Sequence, residues 1–269
     1  MISKTTLIDL KEGILRQQCY KPKAWHDRLQ SEVMDEHAHA CKRLAHAMKD
    51  QSLFPALLHD WWSCKTSLFS VLQVTIKTHK DPGEVKPRQL HTTPYHPMRP
   101  AMRFISWQLN KLLKQQHHII RDSADFAKKI SSITVPSDAL IVRFDVRDFY
   151  MTGMHEHLIA GCKANIDPEI ADEVGDLLDT ILSNQFVWRE PSSIAYRVKL
   201  GSGMGLACSG EISDTCFFEL CERHYAVVPA TRENHSIHFY ARFRDDGFFV
   251  ISGPREPRQH FLKEFKKMR

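Results

Sequence analysis

Three aspartates occupy positions at which carboxylates could bind metal ions. Asp145 follows an apolar run at 140–144 that is typical of a buried strand, and Asp245 and Asp246 lie side by side between two aromatic segments. Adjacent carboxylates repel each other, and their partial burial costs free energy unless a cation compensates. Three such oxygen donors suit Mg²⁺. The pattern therefore predicts two divalent ions at these aspartates, and phosphoryl transfer is chemistry that such a pair supports.

Each carboxylate also has an ordinary explanation when it is taken alone. An Asp directly after a strand, such as Asp145, often caps the next turn or helix. Asp246 precedes Gly247, and an Asp-Gly pair is common at hairpin turns without any function. A metal site is favoured because all three carboxylates stand at the ends of apolar strands.

The elements that position these aspartates can be predicted from hydrophobic periodicity and punctuation. Strands are expected at 72–76, 140–144, 186–188, 194–200, 238–243 and 247–251. Helices are expected within 1–70 and at 105–113, 170–182, about 210–224 and 260–267. The helix at 170–182 is expected to start at Asp167-Pro168, with the proline in its first turn. The basic, Pro- and His-rich range 77–100 is expected to be a long ordered loop.

Composition places few further limits on function. The chain has 269 residues, of which 42% are hydrophobic and 26% charged, and its net charge is +5. This is typical of a soluble globular protein and permits a nucleic-acid partner without requiring one. Seven unevenly spaced cysteines indicate reduced thiols. No signal peptide or membrane-spanning run is found, so we expect an intracellular protein with no membrane partner.

A second set of metal-ligand residue types is a weaker candidate. His37, His39 and Cys41 lie close together in the sequence. Residues two apart do not share a helix face, and no second ligand pair follows them. A zinc site is therefore not predicted there.

Four motifs together resemble those of a known enzyme family. Phe-Asp-Val-Arg-Asp-Phe-Tyr at 144–150, Gly-Ser-Gly-Met-Gly with a serine at 209, and Phe-Arg-Asp-Asp at 243–246 are similar, in this order, to motifs A, B and C of reverse transcriptases. Lys-Thr-His-Lys at 77–80 and Met204-Gly205 resemble the signatures of Penelope-like retroelements. The resemblance extends from about Val71 to Ile251.

The resemblance implies an α+β fold with the fingers and palm of a right-hand polymerase, in which an antiparallel palm sheet packs on helices. Residues 1–70 would form a helical N-terminal extension and 71–139 the fingers with a basic loop. Residues 140–269 would form the palm, with fingers helices inserted at about 155–185. The chain ends 23 residues after Asp246. We therefore expect a C-terminally truncated chain without a thumb, which binds nucleic acid weakly and is poorly active or inactive.

The resemblance also implies roles for individual residues. Asp145, Asp245 and Asp246 would be catalytic and would bind the metal ions together with the carbonyl of Val146. Tyr150 would act as a steric gate against a ribose 2′-hydroxyl, with core packing as the other explanation of this ring. The implied nucleotide contacts are Lys80, Arg88, Val146, Arg147, Asp148, Phe149, Tyr150, Met204 and Gly205. The implied template and primer contacts are Gly203, Ser209, Phe243 and Arg244.

The implied activity is RNA-directed DNA synthesis by a retroelement enzyme. It would use two Mg²⁺ ions, with Mn²⁺ as a substitute, an RNA template, a DNA primer and deoxynucleoside triphosphates. The nucleus is one candidate compartment. The alternatives are an RNA-templated RNA polymerase, which Tyr150 disfavours, a non-catalytic nucleic-acid-binding remnant, and a two-metal nuclease, which leaves the glycine loop unexplained. Gly210 and Arg244 depart from the family pattern, because proline is common at the first position and an arginine beside carboxylates is unusual.

Overall fold

The computed structural model describes residues 4–16, 20–24, 27–59, 69–76, 87–92, 96–188 and 194–267. The chain divides into two compact units. The first comprises Met1–Leu109 and Tyr150–Ile212, and the second comprises Asn110–Phe149 and Ser213–Arg269.

The first unit contains a five-stranded mixed sheet in the order β1-β6-β5-β2-β3. Its strands, numbered along the chain, are β1 (Tyr20–Ala24), β2 (Phe69–Ile76), β3 (Pro87–Thr92), β5 (Phe186–Trp188) and β6 (Ile194–Val198). Neighbouring strands run antiparallel except for β2 and β5, which are parallel. The helices are α1 (Lys4–Leu15), α2 (Asp27–Ala47), α3 (Leu53–Leu57), α4 (Arg99–Leu113), α6 (His155–Lys163), α7 (Ala171–Ser183) and α8 (Ser209–Phe217).

Apolar side chains at strand and helix spacing build the core of the first unit. Ile14 of α1 packs with Leu72, Val187 and Val198 from three strands of the sheet. Helix α7 buries one face, as its apolar residues at spacings of three and four predict. The buried residues of that face are Val174, Gly175, Leu177, Leu178, Ile181 and Leu182.

The second unit is a three-stranded antiparallel sheet in the order β4-β8-β7. Its strands are β4 (Leu140–Asp145), β7 (Ile237–Phe243) and β8 (Asp246–Ile251). Its other elements are α5 (Ser123–Ser131), a π-helix (Phe218–Ala226), α9 (Pro229–Asn234) and α10 (Arg255–Lys267). The residues of α4 from Asn110 and of α8 from Ser213 also belong to this unit. Helix α10 packs on the sheet through Phe261 and Phe265, and α5 packs on it through Phe126.

Phe144 of β4 and Gly247 of β8 are opposite each other in the sheet. A Cβ atom at Gly247 would overlap the ring of Phe144, so no other residue fits there without displacing that ring. The ring also packs on Phe265, with ring centroids 5.0 Å apart, and on Phe249, at 5.5 Å. An aromatic ring that covers a glycine on the next strand is a known way of stabilising such a position.

Most of the strands expected from the sequence are confirmed. Among them are β4, β7 and β8, and the aspartates lie at the ends of these strands or in the turn between them. The loop expected at 77–100 is wrong in part, because β3 forms there through antiparallel pairing with β2. The helix expected to start at Asp167-Pro168 begins instead at Ala171, after a turn in which Asp167 accepts the N–H of Glu169 at 3.0 Å.

Other features were not predicted. The helix expected at about 210–224 is an α-helix only to Phe217 and continues as a π-helix. Helix α5, whose N-cap Asp122 accepts the N–H of Asp125, was also missed. The division into extension, fingers and palm at residues 70 and 139 stays a prediction. Among the described residues, no helix combines the length and apolar composition needed to cross a membrane.

Candidate active site

The fold brings Asp145 and Asp246 together. They are directly opposite each other at the ends of the antiparallel strands β4 and β8. The next residue, Val146, donates its N–H to the carbonyl oxygen of Asp245 at 2.8 Å. Opposite residues in such a ladder have Cα atoms about 4.5–5.5 Å apart and side chains on the same face. Two of the three aspartates therefore share one face, and the third occupies the adjoining turn.

Arg143 is part of the same face of the sheet. It lies two residues before Asp145 on β4, and side chains two apart on a strand point to the same side. Its Nη2 lies 2.7 Å and its Nε 3.2 Å from Oδ1 of Asp246. The pKa of the Arg143 guanidinium is raised, chiefly by this hydrogen bond and by attraction to Asp246, with a smaller contribution from Asp145. The carboxylate of Asp246 is thus paired with an arginine of the same sheet face.

These residues fit a divalent cation in donor chemistry. Opposed carboxylates with a third in the adjoining turn are the oxygen ligands that Mg²⁺ and Mn²⁺ take. Within the described ranges, however, no group of three or more His, Cys, Asp and Glu side chains is already gathered around one point. In this structure Asp246 is instead paired with Arg143. Binding at Asp145, Asp245, Asp246 and the carbonyl of Val146 would need this ion pair to be exchanged for a metal ion, and it stays a prediction.

The turn between β7 and β8 consists of Arg244 and Asp245. Arg244 adopts a φ of 54°, which is uncommon for a residue with a Cβ atom. Its guanidinium forms an ion pair with Asp214 of α8 through Nη1 and Oδ2. The side chain of Arg244 therefore turns to Asp214 instead of to the neighbouring aspartates. Its implied contact with a template or primer stays untested.

Arg242, two residues before the turn, is completely buried. Its Nε and Nη2 each donate to Glu222 at 2.8 Å, and its Nη1 donates to Asp214 at 2.5 Å. Nη1 also donates to the carbonyl oxygen of Arg244 at 2.9 Å. Burial acts to raise the pKa of Glu222, but the charge and hydrogen bonds of Arg242, together with those of His118, outweigh it and hold this pKa at about 2. Glu222 and Arg242 therefore stay charged at neutral pH, whereas burial raises the pKa of Asp214.

A cavity of about 480 Å³ opens beside Asp246 on the second unit. Phe243 and Phe248 line it, together with Arg121, Asp122 and Arg143. Phe243 lies opposite Asp246 in the sheet and is half exposed.

The glycine loop at 201–205 is bonded to Tyr150 in the first unit. Gly203 donates its N–H to the carbonyl oxygen of Tyr150 at 3.0 Å, and Met204 accepts the N–H of His91 at 2.7 Å. A Cβ atom at Gly201 would overlap this same Tyr150 carbonyl. The glycines are thus needed for close approach of the chain to itself. Tyr150, Gly203 and Met204, which were predicted to share nucleotide or template contacts, are adjacent.

Two of the predicted contact residues are engaged within the protein. The hydroxyl of Ser209 donates to the carbonyl oxygen of Leu206 at 3.0 Å, and Ser209 is buried at the start of α8. The ring of Phe149 is buried edge-on against Phe217, with centroids 6.1 Å apart. In this structure the Phe149 ring contributes to packing, so only its backbone remains for the nucleotide contact that the resemblance implied.

The other predicted contacts are placed as follows. Arg88 lies on β3 of the first unit and is exposed. Arg147 and Asp148 are exposed, and Asp148 has a φ of 50°. Gly205 is exposed at the end of the glycine loop. Lys80 lies outside the described residues.

The architecture is shared with solved structures. Apo telomerase from Candida tropicalis truncated from its C-terminal domain superposes with a TM-score of 0.52 at 13% sequence identity, over 78% of this chain and 49% of the telomerase. Apo telomerase from the same species also gives a TM-score of 0.52, at 12% identity, over 81% of this chain and 45% of the telomerase. The chain has the α+β fingers-and-palm fold of a polymerase.

A third match is more distant. The RNA-dependent RNA polymerase of a human picobirnavirus gives a TM-score of 0.48 at 13% identity, over 73% of this chain and 38% of the polymerase. The chain spans about half the length, or less, of each of these structures. No family model matches the chain, and no curated protein is similar to it in sequence.

Sequence reasoning missed the residues that support the turn. Arg242 interrupts the apolar run of β7, and this charge inside a strand is the one local sign of a buried partner. Its partners Asp214 and Glu222 stand 28 and 20 residues earlier and carry no such sign. For Arg143 the sequence indicates only a position within a strand.

Proposed function

We propose that this chain is the fingers and palm portion of a template-directed nucleic-acid polymerase. The observation that carries the proposal is the pairing of Asp145 with Asp246 across two strands, with Asp245 in the adjoining turn. Opposed carboxylates of this kind are poorly placed for stability alone, because like charges directly opposite each other in a sheet destabilise it. The polymerase fold of the chain supports the same activity.

Within this proposal, two divalent ions would activate the 3′-hydroxyl of a primer and stabilise the leaving pyrophosphate. The residues of the chain would orient the reactants. Asp145 and Asp246 would hold the ions from the strand ends. Phe243 is half exposed and lines the cavity beside Asp246, and its ring would contact the sugar or base of the terminal primer nucleotide. Arg143 would move from Asp246 to a phosphate when the ions bind.

We further propose that the template is RNA, the primer is DNA and the product is DNA, and that the chain derives from a retroelement of the Penelope-like kind. Support comes from the motif order at 144–150, 201–209 and 243–246 and from Lys-Thr-His-Lys at 77–80. Tyr150 supports the DNA product, because its ring in the proposed gate position would leave no room for a 2′-hydroxyl. Both telomerase matches have a low sequence identity and support the fold alone.

Primer extension tests the proposed activity. Enzyme in excess over an RNA template annealed to a DNA primer, at low salt, should add the complementary nucleotide with Mg²⁺ or Mn²⁺. The excess and the low salt compensate for weak backbone binding, which falls steeply with salt. Asp145→Asn should slow the single-turnover rate by more than about a hundredfold, since loss of a ligand exceeds the 10–100-fold typical of its supporting residues.

The matched control is Asp138→Asn. Asp138 is an exposed carboxylate of the same unit that accepts the N–H of Gly253 at 3.2 Å, near the opposite end of β4. This variant should extend primers at the wild-type rate. An unaltered rate in Asp145→Asn would contradict the proposal.

The identity of the product is tested at Tyr150. Tyr150→Val should raise the kcat/KM for ribonucleotides relative to deoxynucleotides by about tenfold or more, equivalent to about 1.4 kcal/mol of lost discrimination. Competition between dCTP and CTP in single-nucleotide addition measures this ratio. Tyr196→Val, which removes another partly buried tyrosine of the same unit, should leave it unchanged. An unchanged ratio in Tyr150→Val assigns the ring to packing, and a wild-type preference for CTP indicates an RNA polymerase.

A further inference from the structure

The turn that carries Asp245 is held by one aspartate acting on two arginines. Asp214 binds Nη1 of Arg242 through Oδ1 at 2.5 Å and Nη1 of Arg244 through Oδ2. Arg242 in turn donates to the carbonyl oxygen of Arg244 at 2.9 Å. Both the backbone and the side chain of Arg244 are therefore fixed to the same carboxylate.

The groups that hold the turn are themselves immobilised. The side chains of Arg242 and Glu222 have no exposed surface, and that of Asp214 is 5% exposed. All five N–H groups of Arg242 have partners, because Nη2 also donates to the carbonyl oxygen of Asp214 at 3.4 Å. Glu222 is delivered by the π-helix, an unusual geometry that often occurs at functional sites. Because these partners are fixed in the interior, they can hold the turn in one orientation.

The backbone of the turn needs such support. A residue with a Cβ atom is strained in the left-handed region and persists there where the surroundings determine it. Arg244 is in that region, and Asp245 follows it directly. The orientation of the Arg244 peptide therefore decides the direction in which Asp245 leaves the turn, and with it the separation of Asp245 from the Asp145–Asp246 pair.

We propose that Asp214 and Arg244 are positioning residues for the polymerase reaction: their ion pair holds Asp245 and Asp246 in the arrangement that binds the metal ions. This inference rests on the proposed function. It gives Arg244 a role inside the protein, distinct from the primer contact that the sequence resemblance implied. The ion pair affects the metal ions indirectly, because it sets the orientation of the carboxylates that bind them.

Mn²⁺ binding to the full chain tests the inference without reliance on turnover. Arg244→Ala removes a positive charge near the carboxylates, so electrostatics alone predicts tighter binding of a cation. Loss of positioning predicts the opposite. We expect the dissociation constant for Mn²⁺, measured from the free-ion signal by electron paramagnetic resonance, to rise about tenfold, as for other residues that orient metal ligands.

Two further variants serve as a replacement for the alanine variant and as a control. Arg244→Gln removes the same charge with a long side chain and should weaken binding in the same direction, so it replaces the alanine variant if that variant does not fold. Arg223→Ala is the matched control, because it removes an arginine from a partly exposed ion pair with Glu219 at 2.8 Å in the same unit. It should leave the dissociation constant unchanged. In primer extension, Arg244→Ala should lower kcat and leave the KM for nucleotide unaltered.

The possible outcomes separate this inference from the proposed function. A dissociation constant that is unchanged or lower in folded Arg244→Ala and Arg244→Gln overturns the positioning role alone. Wild-type binding of Mn²⁺ that Asp145→Asn does not reduce overturns the proposed function and the inference with it. A rise in the dissociation constant in Arg244→Ala but not in Arg223→Ala supports the inference.

Discussion

Replacement of Arg242 by methionine is expected to lower the free energy of unfolding by about 3–5 kcal/mol, the usual cost of breaking a buried ion pair from one side. The variant leaves Glu222 buried beside His118 and Tyr240 but without the guanidinium of Arg242. With Arg242 gone, only His118 opposes the effect of burial, so the pKa of Glu222 rises. The loss of stability should accordingly be larger at pH 7 than at pH 5, where protonation of Glu222 relieves part of it.

Urea denaturation at 25 °C, followed by circular dichroism, measures the effect. Arg223→Met is a suitable control, because Arg223 is 40% exposed and pairs with Glu219, and such a pair contributes less than about 1 kcal/mol. If Arg242→Met does not fold, Glu222→Gln leaves Arg242 with one buried carboxylate fewer and should also destabilise the protein. A free energy of unfolding that stays within about 1 kcal/mol of the wild-type value in both variants would show that the network adds nothing to stability.

Acidification is expected to destabilise the protein between about pH 6.5 and pH 4. Burial lowers the pKa of His91 from 6.5 to about 4. Burial also lowers the pKa of His37 to about 4, with a smaller contribution from the charge of His96. In this window the unfolded chain binds protons that the folded chain does not, so stability falls as the pH falls. Each histidine contributes about 1.4 kcal/mol per pH unit, or roughly 3 kcal/mol over the whole window.

His37→Gln isolates one of these contributions. His37 is buried on α2 with its Nε2 3.6 Å from Sγ of Cys41, so glutamine keeps most of its volume and removes its titration. The difference in unfolding free energy between pH 7 and pH 4.5 should shrink by about 2–3 kcal/mol relative to the wild type. The exposed His157 provides a control, since His157→Gln should leave the difference unchanged. An equal pH dependence in wild type and His37→Gln would refute the assignment.

Local sequence patterns were sufficient to predict the strands of the second unit. The apolar run of β4 and the aromatic segments of β7 and β8 each read as strands within a few residues, because side-chain alternation is a local signal. The aspartates lie where these strands end, so they come close to each other once the three strands form one sheet. That step required the motif order, since periodicity alone does not decide which strands pair.

The features that the sequence did not reveal depend on distant partners. Strand β3 has little alternation of its own and forms by pairing with β2, as Arg88 opposite Thr75 illustrates. Arg242 is stable in the interior only because Asp214 and Glu222 converge on it from another part of the chain. Nothing local to a buried charge identifies the residues that compensate it, so the support of the turn could be seen only in three dimensions.

Gly247 has a consequence for how this protein can evolve. A shift of β8 by one residue against β4 would place the Cβ of Asp246 or Phe248 under the ring of Phe144, where none fits. The same shift would turn Asp246 to the opposite face of the sheet, among the aromatic rings that pack on α10. The empty volume at Gly247 therefore keeps the two carboxylates on one surface. Position 247 has no functional group, yet any side chain there would have to displace the Phe144 ring and so disturb the strands that carry the carboxylates.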